Sequence, residues 1–270
     1  MSLSEEPDDY GIFYYDGQYL VNYLNGFYMD TNWLHTPGQI KSKMDFRASY
    51  DGTLGAYYIV ALDGSKGERS LMVKNDNHEI MYRANANNTY CNFWLEYVKE
   101  VPVTIGENRW GSTYLPQNVH IPEGIFVAYT VEVKDGTLWL GRIQYNIPAA
   151  TPVLLIGLPG TYRLEIIDKI EDIGVPTNHL VGTYTTEYTT GNELVWNGET
   201  MEKATDEVIW GFTAYMPADS GAEGLPADLA IGISNLTNQN NRGTYKMIRD
   251  GHIYIIRNGQ QYTPTGIRMQ

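Results

Sequence analysis

Residues 126–143, FVAYTVEVKDGTLWLGRI, decide the fold. Two segments rich in β-branched and aromatic residues flank the pair Asp135-Gly136, with polar and apolar positions alternating as in half-buried strands. A type I′ turn needs positive φ at both central residues, and an Asx-Gly pair adopts it at low cost, so the stretch reads as a β-hairpin. The same signal recurs at Asp16-Gly17, Asn25-Gly26, Asp51-Gly52, Asp63-Gly64, Asn197-Gly198, Asp250-Gly251 and Asn258-Gly259, along almost the whole chain.

Between these corners lie further strand-like phrases: AYYIVAL, EIMYRA, NFWLEYV, TYRLEII, HLVGTYTTEYT, EVIWGFTAYM and HIYIIRN. No window sustains an apolar i, i+3, i+4, i+7 pattern between helix caps; EKATDEVIWGF comes nearest and runs into β-branched and aromatic residues within two turns. The fold class is therefore all-β. The apolar run of residues 147–166, IPAATPVLLIGLPGTYRLEI, reads as two strands, TPVLLIG and TYRLEII, joined into a central hairpin by the LPG turn, the first strand buried on both faces.

The chain has 270 residues, enough for one large or two ordinary domains, and 43% hydrophobic residues can supply a core. The 19 basic and 32 acidic residues leave a net charge of −13, which repels a phosphate backbone and argues against nucleic acid as a partner. With 22 Tyr and 6 Trp against 6 Phe, the aromatic inventory suits β-proteins and binders of sugars or proteins. The single cysteine, Cys91, excludes a disulfide framework and a cysteine-based zinc site, and reads as a small apolar side chain within a strand. Nothing in the sequence signals a membrane span or a signal peptide. The opening MSL reads as a leader added for expression, so a native export signal is expected to have been removed.

The texture changes at VKEVPVTIGENRWG, which places a boundary near Glu100. Residues 1–9 read as a flexible acidic leader, 10–100 as an N-terminal β domain and 101–270 as a C-terminal one, with a terminal hairpin over 245–270. Within residues 101–166, the phrases WGSTYLP, IPEGIFVAYT and IPAATPVLLIGLPGTY follow in an order that resembles a module of secreted surface proteins from gut anaerobic bacteria. GFTAYMPA and the closing IRDGHIYIIRNGQQYTPTGIRMQ resemble its continuation more loosely. In the first hundred residues, DGQYLVNYLNGFYM and NTYCNFWLEYV are similar to part of a ricin-like β-trefoil, although the segment is short for three full lobes. The resemblance implies a β-trefoil-like unit or small β-sandwich followed by a β-sandwich. It also implies a place outside the cell or on the outer-membrane surface, in lipoprotein or adhesion modules to which no chemistry is assigned.

The segment NGFYMDTNWLHTPGQ gathers Phe27, Tyr28, Asp30, Asn32, Trp33 and His35 in a loop-like span. An aromatic face for a pyranose beside amide and carboxylate groups for its hydroxyls makes Tyr28, Asp30, Asn32, Trp33 and His35 the candidate ligand-binding residues. A tyrosine-rich β-domain also yields such a cluster with no ligand. Asn75, Asp76, Asn77, His78 and Glu79 lack EF-hand spacing and read as a polar turn. The adjacent acids Asp206 and Glu207, on a strand, would point to opposite faces rather than pair for glycoside hydrolysis. The sequons at Asn87 and Asn235 carry no weight. His35, His78, His120, His179 and His252 show no metal-ligand spacing, and GxSxG, GxxxxGK[ST] and GxGxxG are all missing. No catalytic residue, metal or cofactor is expected. Trp94, Trp110, Trp139, Trp196 and Trp210 read as core, with Trp33 the exception.

The sequence thus points to a non-catalytic binding protein whose partner is a glycan or a host or cell-surface protein. A spacer or accessory domain of a larger surface protein or glycosidase is the alternative, and a glycosidase fragment a third reading.

Overall fold

The computed structural model describes residues 12–30, 33–34, 41–48, 52–63, 67–73, 80–83, 91–170, 174–228, 245–249, 252–257 and 260–262. Among the described residues there is no α-helix, and the chain is nearly all β, as its hairpin signals predict. The first hundred residues supply β1 (Phe13–Tyr15), β2 (Leu20–Asn22), β3 (Met29–Asp30), β4 (Trp33–Leu34), β5 (Met44–Ala48), β6 (Tyr57–Ala61), β7 (Arg69–Val73) and β8 (Ile80–Arg83). Then come β9 (Glu100–Ile105), β10 (Trp110–Thr113), β11 (Val119–His120), β12 (Phe126–Lys134), β13 (Thr137–Ile143), β14 (Asn146–Ile147), β15 (Val153–Gly157) and β16 (Gly160–Glu165). The next are β17 (Val181–Thr183), β18 (Glu187–Tyr188), β19 (Glu193–Trp196), β20 (Met201–Lys203), β21 (Val208–Ile209), β22 (Thr213–Pro217) and β23 (Ala227–Asp228). Last come β24 (Tyr245–Arg249), β25 (His252–Arg257) and β26 (Gln260–Tyr262), a three-stranded sheet in sequence order.

The decisive stretch folds as its residues dictate. β12 and β13 pair in register from Ala128 opposite Ile143 to Lys134 opposite Thr137, and Asp135 and Gly136 close the ladder with φ of 51° and 71°. Both angles are positive, as the turn type demands. Among the described pairs, Asp16-Gly17 and Asn197-Gly198 likewise join antiparallel neighbours, β1 to β2 and β19 to β20.

β12 and β13 sit inside a five-stranded sheet of order β10-β15-β12-β13-β23, antiparallel except for the last pair. Alternation sends Phe126, Ala128, Val153 and Leu155 to one face, where they pack with Val101, Val103, Ile105 and Leu164 of β9 and β16. It sends Val131, Leu138, Leu140 and Leu154 to the other, against Leu194, Met201, Ala214 and Met216 of the four-stranded sheet β17-β22-β19-β20. The central sheet is therefore buried on both faces, and each fully buried aliphatic side chain contributes roughly 1.5–3 kcal/mol.

The double burial expected of TPVLLIG holds, since Val153, Leu154 and Leu155 have essentially no exposed surface. The expected hairpin with TYRLEII does not form. β10 and β12 already occupy both edges of β15, so the chain leaves the sheet and β16 pairs with β9 in the next layer. Gly157 makes the departure possible: a Cβ there would lie 2.5 Å from the Phe126 Cβ. The Tyr162 hydroxyl donates to the Leu158 carbonyl at 2.8 Å across the crossing.

The first hundred residues build a sequential meander, β5-β6-β7-β8, around Leu20, Met29, Met44, Ile59, Ala61, Leu71 and Phe93. Strands β1 and β2 straddle two cores: Leu20 belongs to this one, whereas Val21, with Ile12 and Tyr23, joins the core under β9 and β12. One continuous core thus holds residues from both sides of Glu100. NFWLEYV is not a strand; Phe93 makes an isolated bridge to Tyr57, and the segment beyond it leaves Trp94 63% and Tyr97 97% exposed. Cys91 is buried, in a helical turn rather than a strand.

Candidate functional site

The phrases HLVGTYTTEYT and EVIWGFTAYM each break into two strands, β17 with β18 and β21 with β22. The breaks admit the tip of the turn after β2. There Asn22 Oδ1 accepts the Leu24 and Asn25 N–H groups at 3.1 and 3.2 Å, and Gly26 takes a φ of 66°. The tip then docks on Thr186, whose hydroxyl donates to the Asn25 carbonyl and accepts the Gly211 N–H at 2.8 Å, while its own N–H donates to the Gly26 carbonyl at 2.9 Å. Backbones come so close that a Cβ on Gly26 would lie 2.5 Å from the Gly211 Cα. Around this joint Tyr23 stacks on Phe212 at 4.1 Å and 16°, and Tyr114 stacks on Tyr184 at 4.4 Å and 21°. Burial pushes the Tyr23 and Tyr184 phenols well above the ordinary tyrosine range, for Tyr184 with help from its hydrogen bond to Tyr114, so both stay neutral.

The break in EVIWGFTAYM leaves Trp210 half-exposed, at 49%, against the Phe27 ring at 6.3 Å and 25°. Phe212 holds a φ of 58°, an uncommon state for a bulky residue, and the Thr213 hydroxyl donates to the Trp210 carbonyl at 2.5 Å. Trp210 borders a cleft of ≈ 550 Å³ that Trp110 and Trp196 also line. Those two rings meet at 4.8 Å and 53°. A turn through Arg109, φ 67°, delivers Trp110, whose N–H donates to Asn108 Oδ1 at 3.2 Å. Trp196 ends β19 just before a turn in which Asn197 Oδ1 accepts the Glu199 and Thr200 N–H groups at 2.8 and 2.9 Å. The Trp196 Nε1 is buried with no partner among the described residues.

Polar groups ring the indoles: Asn108, Ser112, Thr205, Asp206 and Thr213 line the same cleft. Aromatic faces beside hydroxyl, amide and carboxylate groups form a surface that can stack one side of a sugar ring and hydrogen-bond its rim. The volume falls in the range of small-molecule and cofactor sites, roughly 300–1,000 Å³.

Of the sequence-predicted residues, Tyr28 does not line this cleft. Tyr28 is part-buried on the core, edge-on to Tyr19 at 5.6 Å, and the Lys41 ammonium stands over both rings, 4.7 Å from Tyr28 and 4.3 Å from Tyr19. That face is already occupied by a cation. Asp30 and Trp33 are directly opposed in the β3–β4 pair, while Asn32 and His35 lie outside the described residues. Phe27, of the same segment, reaches the cleft region through Trp210. The polar turn at residues 75–79 and both sequons also lie outside the described residues.

The expectation that the tryptophans beyond Trp33 are core residues is corrected for Trp94 and Trp210, which are exposed, whereas Trp110 and Trp196 pack partly buried against the second core while also lining the cleft. Trp139 lies under the Lys134 ammonium at 5.0 Å. A signal was available: Trp110, Trp196 and Trp210 are each followed within two residues by glycine. At Gly111 a Cβ would collide with the Thr104 carbonyl, and Gly198 holds a φ of 113° beside the Trp110 ring. Gly111 thus lets two backbones come close beside Trp110, and Gly211 does the same beside the half-exposed Trp210.

Among the described residues no group of three His, Cys, Asp or Glu side chains is placed to hold a metal ion, and no helix is long and apolar enough to cross a membrane. His120 and His179 serve structure: His120 Nδ1 lies 3.0 Å from Asn146 Oδ1, and the Val133 N–H donates to His179 Nδ1 at 3.1 Å. No protein-family model, curated protein or solved structure matches the chain.

Proposed function

We propose that the chain is a non-catalytic recognition protein that takes a carbohydrate chain in the tryptophan cleft. The observation that carries the reading is three indoles and five polar side chains converging on one open cleft. Recognition is favoured over turnover because Asp206 is the one carboxylate among the described lining residues, whereas glycoside hydrolysis ordinarily works with two across the bond. The two sheets that share the second core support a β-sandwich for residues 101–228. The meander β5–β8 supports a small sandwich in the first hundred residues over a trefoil. A place outside the cell or on the outer-membrane surface rests on the resemblance of residues 101–166 alone. Individual contacts net about 1 kcal/mol, so single-site affinity is weak and display in several copies raises it.

The test is a glycan array followed by titration calorimetry on the best hit. Trp210→Ala is expected to weaken binding about tenfold, the equivalent of ~1.4 kcal/mol, with little change in melting temperature because the ring is half-exposed. Silence across host and dietary glycans would favour the spacer role. Loss of binding in Trp33→Ala but not in Trp210→Ala would move the site to the β3–β4 segment. Turnover of a chromogenic glycoside, lost in an Asp or Glu variant, would make the chain an enzyme.

A further inference from the structure

We infer that the cleft selects uncharged sugar chains and rejects uronate-bearing or sulfated ones, and that Asp206 sets this preference. The inference rests on the carbohydrate reading above and adds the ligand's charge class. Among the described residues Asp206 is the one ionisable side chain lining the cleft, and no described lysine or arginine lines it. The nearest cations in sequence, Arg109 and Lys203, lie outside the lining. Among the described residues the Asp206 side chain has no hydrogen bond or ion pair; only its backbone carbonyl is engaged, by the Thr189 hydroxyl at 2.9 Å.

A free carboxylate beside indole faces accepts hydroxyl hydrogens from a neutral pyranose, and such charge-assisted bonds are roughly twice as strong as neutral ones. An anionic sugar brings a like charge into the cleft with no cation among the described lining residues to meet it, on a chain of net charge −13. Its desolvation would be uncompensated.

The experiment titrates the intact chain with neutral hexasaccharides of glucose, mannose, xylose and galactose, and with galacturonate and hyaluronan hexasaccharides, at low and high salt. At least one neutral chain is expected to bind, with the acidic chains about tenfold or more weaker and gaining as salt screens the repulsion. Asp206→Asn is expected to weaken the neutral ligand about two- to fivefold and to narrow the gap to the acidic ones, an effect that a purely structural role would not produce. Acidic chains bound as tightly as the neutral ones, with binding lost in Trp210→Ala, would overturn the charge inference and leave the carbohydrate site standing. No binding of any hexasaccharide would overturn both.

Discussion

The central sheet and the four-stranded sheet stacked on it are built from similar residues and share one core, yet they end differently. In β12, β13 and β15 inward positions are filled without a break, and Leu138, Leu154 and Leu155 are sealed. In the facing sheet, β17 gives way to β18 and β21 to β22 where Gly26 meets Gly211, and one of the cleft's tryptophans lies at that break. Continuous alternation makes a scaffold. Interruption by a second backbone, which only glycine permits at that distance, leaves an aromatic side chain uncovered at the seam.

The contrast can be broken at either sheet. Leu155→Ala in the uninterrupted sheet should cost most, about 2–5 kcal/mol by denaturant unfolding, since the side chain is sealed and its cavity cannot collapse between two packed layers. Gly211→Ala should cost less, about 1–3 kcal/mol, because the added methyl drives apart Gly26 and Tyr184. Unlike Leu155→Ala, it should also displace Trp210 and lower sugar binding in proportion, by calorimetry. Phe27→Ala should leave most of the stability and red-shift the Trp210 fluorescence as the stacked ring is removed. Tyr23→Phe sharpens the view of the seam: the buried hydroxyl has no partner among the described residues, so its removal should leave the melting temperature unchanged or raised.

The smallest effect is expected at Glu193. Partial burial opposes its ionisation, but hydrogen bonds from the Thr190 hydroxyl and from the Thr190 and Asn192 N–H groups hold its carboxyl below the ordinary carboxylate range. A depressed folded-state pKa stabilises above the unfolded value and is lost as pH falls through the folded one. Glu193→Gln should therefore lower the melting temperature slightly at neutral pH and not at all in acid below both values.

The all-β class and the β12–β13 hairpin were legible because turn chemistry and alternation are local: Asp135-Gly136 and its flanking strands carry their own instructions. The pairing of β16 with β9 was not, since it depends on both edges of β15 being taken by β10 and β12, a fact about distant residues. The cleft was missed for a related reason. Trp110, Trp196 and Trp210 sit in strand-like phrases, and only the approach of Gly26 to Gly211 breaks the strand beside Trp210. Of the aromatic cluster read as a sugar site, the Tyr28 ring carries the Lys41 ammonium over it, a contact between residues thirteen apart that no local pattern signals, and Asn32 and His35 lie outside the described residues.

The most direct measurement is the indole Nε1–H region of a nitrogen-15 spectrum, recorded as the best-binding neutral oligosaccharide is added, with each tryptophan assigned by substitution. The Trp210 resonance should move to saturation with the calorimetric affinity while that of Trp139 stays fixed. Movement of Trp33 with Trp210 unmoved would contradict the account.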